Sequence, residues 1–165
     1  MIAQHPDENR PLAALLAPDL LALLAESPAD VATETEEMHA ADLADVAEAL
    51  PRDRVAALLA ALPPARAPDV LGYLDEELRA ETLEAMTARQ AAALVSQMTP
   101  DDRADVLEEI EEEHAEDIVA ALPPAERRET EARLAYDTDT AGGLMTTEFV
   151  SVPAELSVEA ALGSV

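Results

Sequence analysis

The chain has no cysteine, no tryptophan and no lysine, and only one phenylalanine, two tyrosines and four glycines. Without cysteine there is neither a disulfide framework nor a thiolate metal centre. Without aromatics the core must be built from Leu, Val, Ala and Met, which suits close packing of helices through small side chains. With so few glycines, no Gly-rich phosphate loop precedes a helix. Long apolar runs are missing too. The most apolar stretch, LAALLAPDLLALLA at 12–25, is too short to span a bilayer and is interrupted by Pro18 and Asp19. The opening MIAQHPDENR lacks the layout of a signal peptide. No segment of this sequence reads as a membrane span or a targeting leader.

Positive charge is scarce. Thirty-six acidic residues face ten basic ones, all arginine, for a formal net charge of −26. Such a field repels nucleic acid and anionic lipid, because neither can be bound without neutralising its phosphates. Cations and basic partners are what it attracts. Carboxylate-rich, lysine-free surfaces also occur as a salt adaptation, and composition leaves that reading open. The three histidines, His5, His39 and His114, do not cluster along the chain, and the serines form no nucleophile elbow. We therefore expect no catalytic activity.

What is present in abundance is a repeat. Met38, Leu50, Leu62, Leu74, Met86, Met98, Ile110, Leu122 and Leu134 stand twelve residues apart, and all are large and apolar. Three and four residues before most of them lies an apolar pair: Val46/Ala47, Leu58/Leu59, Val70/Leu71, Leu94/Val95, Val106/Leu107 and Ile118/Val119. That spacing is one face of a helix. Immediately after the anchors come Pro51, Pro63, Asp75, Thr87, Thr99 and Pro123, residues that stop one helix or cap the next. Each unit is predicted to be a helix of roughly two to three turns with a tight corner. Helices this short are marginal alone, so neighbours must stack on them. The last unit departs from the pattern, with Thr130 and Glu131 in place of the apolar pair, as in a capping repeat or a surface meeting another domain.

After Ala135 the character changes. The stretch YDTDTAGGLMTTEFVSV at 136–152 can cap the final helix with glycine and then reads as a strand and a turn. SVEAALGSV at 157–165 begins as a capped amphipathic helix. The organisation expected is leading helices over 1–37, a helical-repeat domain over 38–135, a junction over 136–149 and the beginning of a further domain over 150–165. Counting from Asp137, the residues Asp139, Gly142 and Glu148 imitate an EF-hand loop. Ala141 offers no side-chain oxygen, however, and the segment that follows is β-like rather than helical, which argues against that site.

A denser cation signal lies in DDRADVLEEIEEEHAED, residues 101–117, where ten carboxylates surround Arg103. Asp101 and Asp105 are i, i+4 on the first turns of a helix and project together. Like charges so placed repel unless a cation sits between them. An oxygen-only set suits Mg²⁺ or Ca²⁺ rather than zinc or copper. His114 and Asp117, i and i+3, form a second pair that could touch a metal. The plain alternative for both is a solvated helix face.

The helix corners LPRDR, MTPDDR and LPPAER, followed by LAYDTDTAGGLMTTEFVSV, resemble the cytosolic N-terminal region of MgtE-type magnesium transporters. AGGLMTTEFV is similar to that family's junction between its superhelical N domain and first CBS domain. The resemblance covers roughly 38–165. It implies an all-α, right-handed superhelix of short stacked helices, followed by the first strand and helix of a truncated CBS domain. It further implies a non-enzymatic Mg²⁺ sensor at the cytoplasmic face of the membrane, part of a homodimer. Its partners would be Mg²⁺ and the CBS and transmembrane domains of the same protein. Mg²⁺ held between the N and CBS domains would stabilise a closed pore. Matched to the family pattern, the implied Mg²⁺ contacts are Asp69, Asp101, Asp105 and the backbone carbonyl of Gly143. Asp69 stands where the family more often has Glu. Stacked helices of this kind also resemble the middle part of the flagellar motor-switch protein. A protein-interaction scaffold, or a soluble CBS-containing protein with no metal role, is the alternative.

Overall fold

The computed structural model describes residues 10–135. The expected junction, strand and final helix, with Gly143 and the EF-hand-like loop, lie outside them. Within 10–135 the regular structure is helical throughout. The leading elements are α1 (Arg10–Glu26), a 3-10 turn (Pro28–Asp30) and α2 (Val31–Glu34). The repeat supplies α3 (Ala40–Glu48), α4 (Arg52–Ala61), α5 (Ala67–Tyr73), α6 (Glu76–Glu84), α7 (Ala88–Val95), α8 (Pro100–Glu108), α9 (Glu112–Ala121) and α10 (Pro124–Leu134).

These helices are short because their corners stop them. Asp75, Thr87 and Thr99 cap α6, α7 and α8 with side-chain oxygens that accept backbone N–H groups. At α7 the cap is reciprocal, since the Thr87 amide in turn donates to Gln90 Oε1. Pro51 and Pro123 occupy the same position before α4 and α10. The corner before α5 differs from expectation. Pro63 does not open a helix there; its carbonyl accepts from Arg66 and Ala67 in a turn. The helix starts only at Ala67, with Pro68 in its first turn, where a missing N–H costs nothing. In α1 the helix runs through Pro18 rather than breaking. Pro18 and Ala14, whose carbonyl loses its donor, both face solvent, where that loss costs least.

Alternate helices stack: α3 on α1, α5 on α3, α7 on α5 and α9 on α7, with α6 on α4 and α10 on α8 alongside. The result is a solenoid with one continuous core from Ala13 to Leu122. The twelve-residue register maps onto that core. Leu50, Leu62, Leu74, Met86, Ile110 and Leu122 are buried, as are all six apolar pairs. Each fully buried leucine or valine contributes about 1.5–3 kcal/mol relative to exposure.

Arginines complete the architecture, and they recur every 24 residues, the length of two units. Arg79 on α6 donates to the carbonyls of Gly72 and Leu74 at the end of α5. Arg103 on α8 donates to Val95 and Met98 at the end of α7. Arg127 on α10 donates to Val119, Ala120 and Leu122 at the end of α9. Each guanidinium thus donates to carbonyls in the last turn or just past the C-terminus of a helix, where the regular i+4 ladder ends and the helix dipole also favours a cation. Arg66 does the same for Thr35 and Met38 beyond α2. Two glutamates mirror this at helix starts. Glu48 accepts from the amide of Asp75 and Glu84 from that of Glu111, each at 3.2 Å.

Candidate functional site

The acidic run over 101–117 spans α8, the following corner and α9, and the fold divides its carboxylates by task. Asp102 is engaged at the cap of α8: its Oδ2 accepts from Thr99 Oγ1 at 2.7 Å, and its amide donates to the same hydroxyl oxygen. Glu109 is drawn inward to Arg79, which donates from Nε to Oε2 at 2.6 Å and from Nη2 to Oε1. Both of those side chains are 15% exposed, so this pair ties α6 to the corner after α8. Glu111 caps α9 through its backbone. His114 Nε2 lies 3.2 Å from the carbonyl of Leu83. That contact fixes the imidazole against α6 and turns it to structural use, away from a metal pair with Asp117.

Asp101 and Asp105 remain on the outer side of α8, Asp101 half-buried and Asp105 exposed. The Asp105 carboxyl is raised above the usual aspartate value. Partial desolvation against the packed helices is the largest cause, followed by the charges of Glu108, Asp102 and Asp101; Arg133 of α10 acts in the opposite sense. An ionised Asp105 is therefore held at a cost, which a bound cation would relieve. The donor set offers oxygen only, as a hard divalent cation requires.

Asp69 lies in the first turn of α5 and is exposed. Helix α5 packs on α3, α4 and α7, whereas α8 packs on α9 and α10. The fold thus brings Asp101 and Asp105 together and leaves Asp69 on a separate element. Among the described residues no group of three or more His, Asp or Glu side chains could hold a metal. The pair on α8 is at most part of a coordination sphere, with water or further groups supplying the rest. Among the described residues, too, no helix is long and apolar enough to cross a membrane.

Sequence reasoning missed the arginines as structural elements. The signal was there in the 24-residue spacing of Arg79, Arg103 and Arg127. It missed Thr130 as well. The position that reads as a break in the apolar pattern is fully buried, its hydroxyl donating to Glu126 at 2.7 Å and accepting from Arg103 at 3.1 Å.

An acidic α-solenoid with carboxylates grouped on one helix defines a class of cation-attracting helical-repeat domain. Residues 38–139 match the family described as the MgtE intracellular N domain, and the chain belongs to that family. Two solved structures share the fold. The cytosolic domain of the Mg²⁺ channel MgtE in complex with ATP is 32% identical, with a TM-score of 0.76 over 90% of this chain and 62% of that one. The soluble part of a magnesium transporter is 24% identical, with a TM-score of 0.75 over 92% of this chain and 60% of that one. The chain thus spans about three fifths of the length of each. Comparison with curated proteins gave no significant match.

Proposed function

We propose that this chain is the Mg²⁺-sensing regulatory domain of a magnesium transporter or channel, at the cytoplasmic face of the membrane. In this reading Asp101 and Asp105 of α8, with Asp69 of α5 and the Gly143 carbonyl, contribute oxygen ligands to Mg²⁺ at the interface with CBS domains of the same protein. The observation that carries it is the placement of Asp101 and Asp105, i and i+4, on one face of α8, in a chain of the MgtE N domain family. Mg²⁺ accepts such partial sites because it keeps several waters and takes only one or two carboxylates. Binding that is stronger when the domains are apposed shifts the equilibrium toward the compact, closed arrangement by that difference in affinity. In low Mg²⁺ the unneutralised acidic faces repel and the compact arrangement loses stability.

The test is a Mg²⁺ titration followed by amide chemical shifts at fixed ionic strength. It is run on this chain, on Asp101→Asn/Asp105→Asn, and on a chain extended through the CBS domains. Saturable shifts centred on 101–105 and 143 are expected, tighter in the longer chain and lost in the double variant. Uniform, unsaturating shifts that Na⁺ reproduces would mean that these carboxylates only hydrate the surface, and would overturn the proposal.

A further inference from the structure

Along each row of the solenoid, one helix covers the stripe of the helix before it. Helix α9 is the last of its row among the described residues, and its outer stripe opens onto a groove of about 690 Å³. The stripe is Glu112, Ala115, Glu116 and Val119, spaced i, i+3, i+4 and i+7, so the groove runs along the helix for two turns. Leu107 and Ile110 from the end of α8 line it on the apolar side, and Leu134 of α10 closes the far wall. This is the space that one more helix of the row would fill.

The charges around the groove say what kind of helix fits. Glu108, Glu112, Glu116 and Glu131 stand at it, all exposed, and Glu112, Glu116 and Glu131 are without a cationic partner among the described residues. The lone basic lining residue, Arg127, is committed to the carbonyls at the end of α9. The occupant that matches carries Lys or Arg on both flanks of an apolar stripe. The chain's own residues 136–165 contain no basic residue at all. A second copy would bring a further charge of −26. We propose that the face of α9 and α10, open among the described residues, is a docking groove for a basic amphipathic helix from outside residues 1–165. The groove is distinct from Asp69, Asp101 and Asp105, so the two readings stand or fall separately.

The probe is a fluorescein-labelled synthetic helix with a leucine stripe flanked by lysines, and the control is the same stripe flanked by glutamates. Anisotropy and amide shifts are read on the full chain. The lysine helix is expected to bind saturably, one to one, shifting Ala115, Val119 and Leu134. Glu112→Gln/Glu116→Gln is expected to weaken binding by about tenfold. Ala115→Trp, which fills the groove and leaves every charge in place, is expected to abolish it. The same charge change at the distant, exposed Glu36→Gln/Glu37→Gln should leave affinity unchanged. Circular dichroism checks each fold, and if Ala115→Trp fails to fold, the glutamate variants and the shift map decide. The proposal is overturned if both glutamate pairs weaken binding equally, which would mark general attraction between polycation and polyanion. Equal binding of the glutamate-flanked helix would overturn it too. So would contacts in the free chain between residues 136–165 and the groove, or concentration-dependent self-association lost in Ala115→Trp.

Discussion

Among losses of a charged side chain, Arg103→Ala is expected to be the most damaging to this protein, because that charge is not at the surface. The side chain is 2% exposed. Nε donates to the Val95 carbonyl at 3.1 Å, Nη2 to Met98 at 3.0 Å, and Nη1 to Glu126 and to Thr130 Oγ1, each at 3.1 Å. One guanidinium therefore joins the end of α7 to α10 across α8. Burial pulls its pKa below the usual arginine value, while Glu129 and Glu126 oppose that shift.

Each charge-assisted hydrogen bond contributes about 1.5–3 kcal/mol, but the sum of four does not apply. Several of the acceptors are only partly buried and regain water, and the cost of desolvating the cation disappears with it. Removing one partner of a buried charged network costs about 3–5 kcal/mol, and the lost stem adds a cavity. Against a total stability of about 5–15 kcal/mol for a domain, the variant should melt about 10–20 °C lower. Arg103→Met keeps most of the stem and leaves the same acceptors unmet, so it should fall between the variant and the parent. The assay is urea unfolding monitored by helical circular dichroism, with slope and midpoint compared. An Arg103→Ala unfolding free energy within about 0.5 kcal/mol of the parent would refute the assignment of Arg103 as the joint between repeats.

Two further outcomes follow from the same geometry. The raised Asp105 carboxyl means that the folded state holds its proton more tightly than the unfolded state. Ionisation therefore costs stability above the folded pKa, and the cost fades as pH falls through that value toward the ordinary aspartate range. Asp105→Asn should accordingly melt higher than the parent at pH 7 and lose that advantage at about pH 4; a constant difference across the range would count against the shift. Thr87→Ala removes one half of the reciprocal cap on α7 and should cost about 1 kcal/mol. Gln90→Ala should cost less than that, and the double variant less than the sum if the two act as one unit.

The exposed ion pairs make a useful contrast with Arg103. Arg52 reaches Glu81 at 2.6 Å and Glu77 at 3.5 Å between α4 and α6. All three side chains are largely in water, where such pairs are screened by salt. The basic residues of this acidic chain thus fall into two kinds. Some sit in solvent among carboxylates. Others, spaced by the repeat, are used as donors inside it.

The sequence by itself determined the repeat, its register and most of the helix ends. A twelve-residue spacing of large apolar anchors, most of them preceded by an apolar pair and followed by a cap, permits little besides short stacked helices. Burial follows directly, because in a solenoid each helix faces only its neighbours and the apolar stripe has one place to go. The acidic balance was equally legible, and so was the pairing of Asp101 with Asp105, since i and i+4 on one helix are neighbours whatever the rest of the chain does. Only the tertiary structure decided which charges are used and which are left over. Arg79 reaches Glu109 across 30 residues, and Arg103 reaches Thr130 across 27. No local pattern reveals such contacts, because they depend on which helix stacks on which. The same stacking places Asp69 apart from the pair on α8, buries Thr130 where the pattern seemed to lapse, and leaves the stripe of α9 facing an acidic groove. Periodicity determines what a helix buries, and the packing of distant helices decides which polar groups meet.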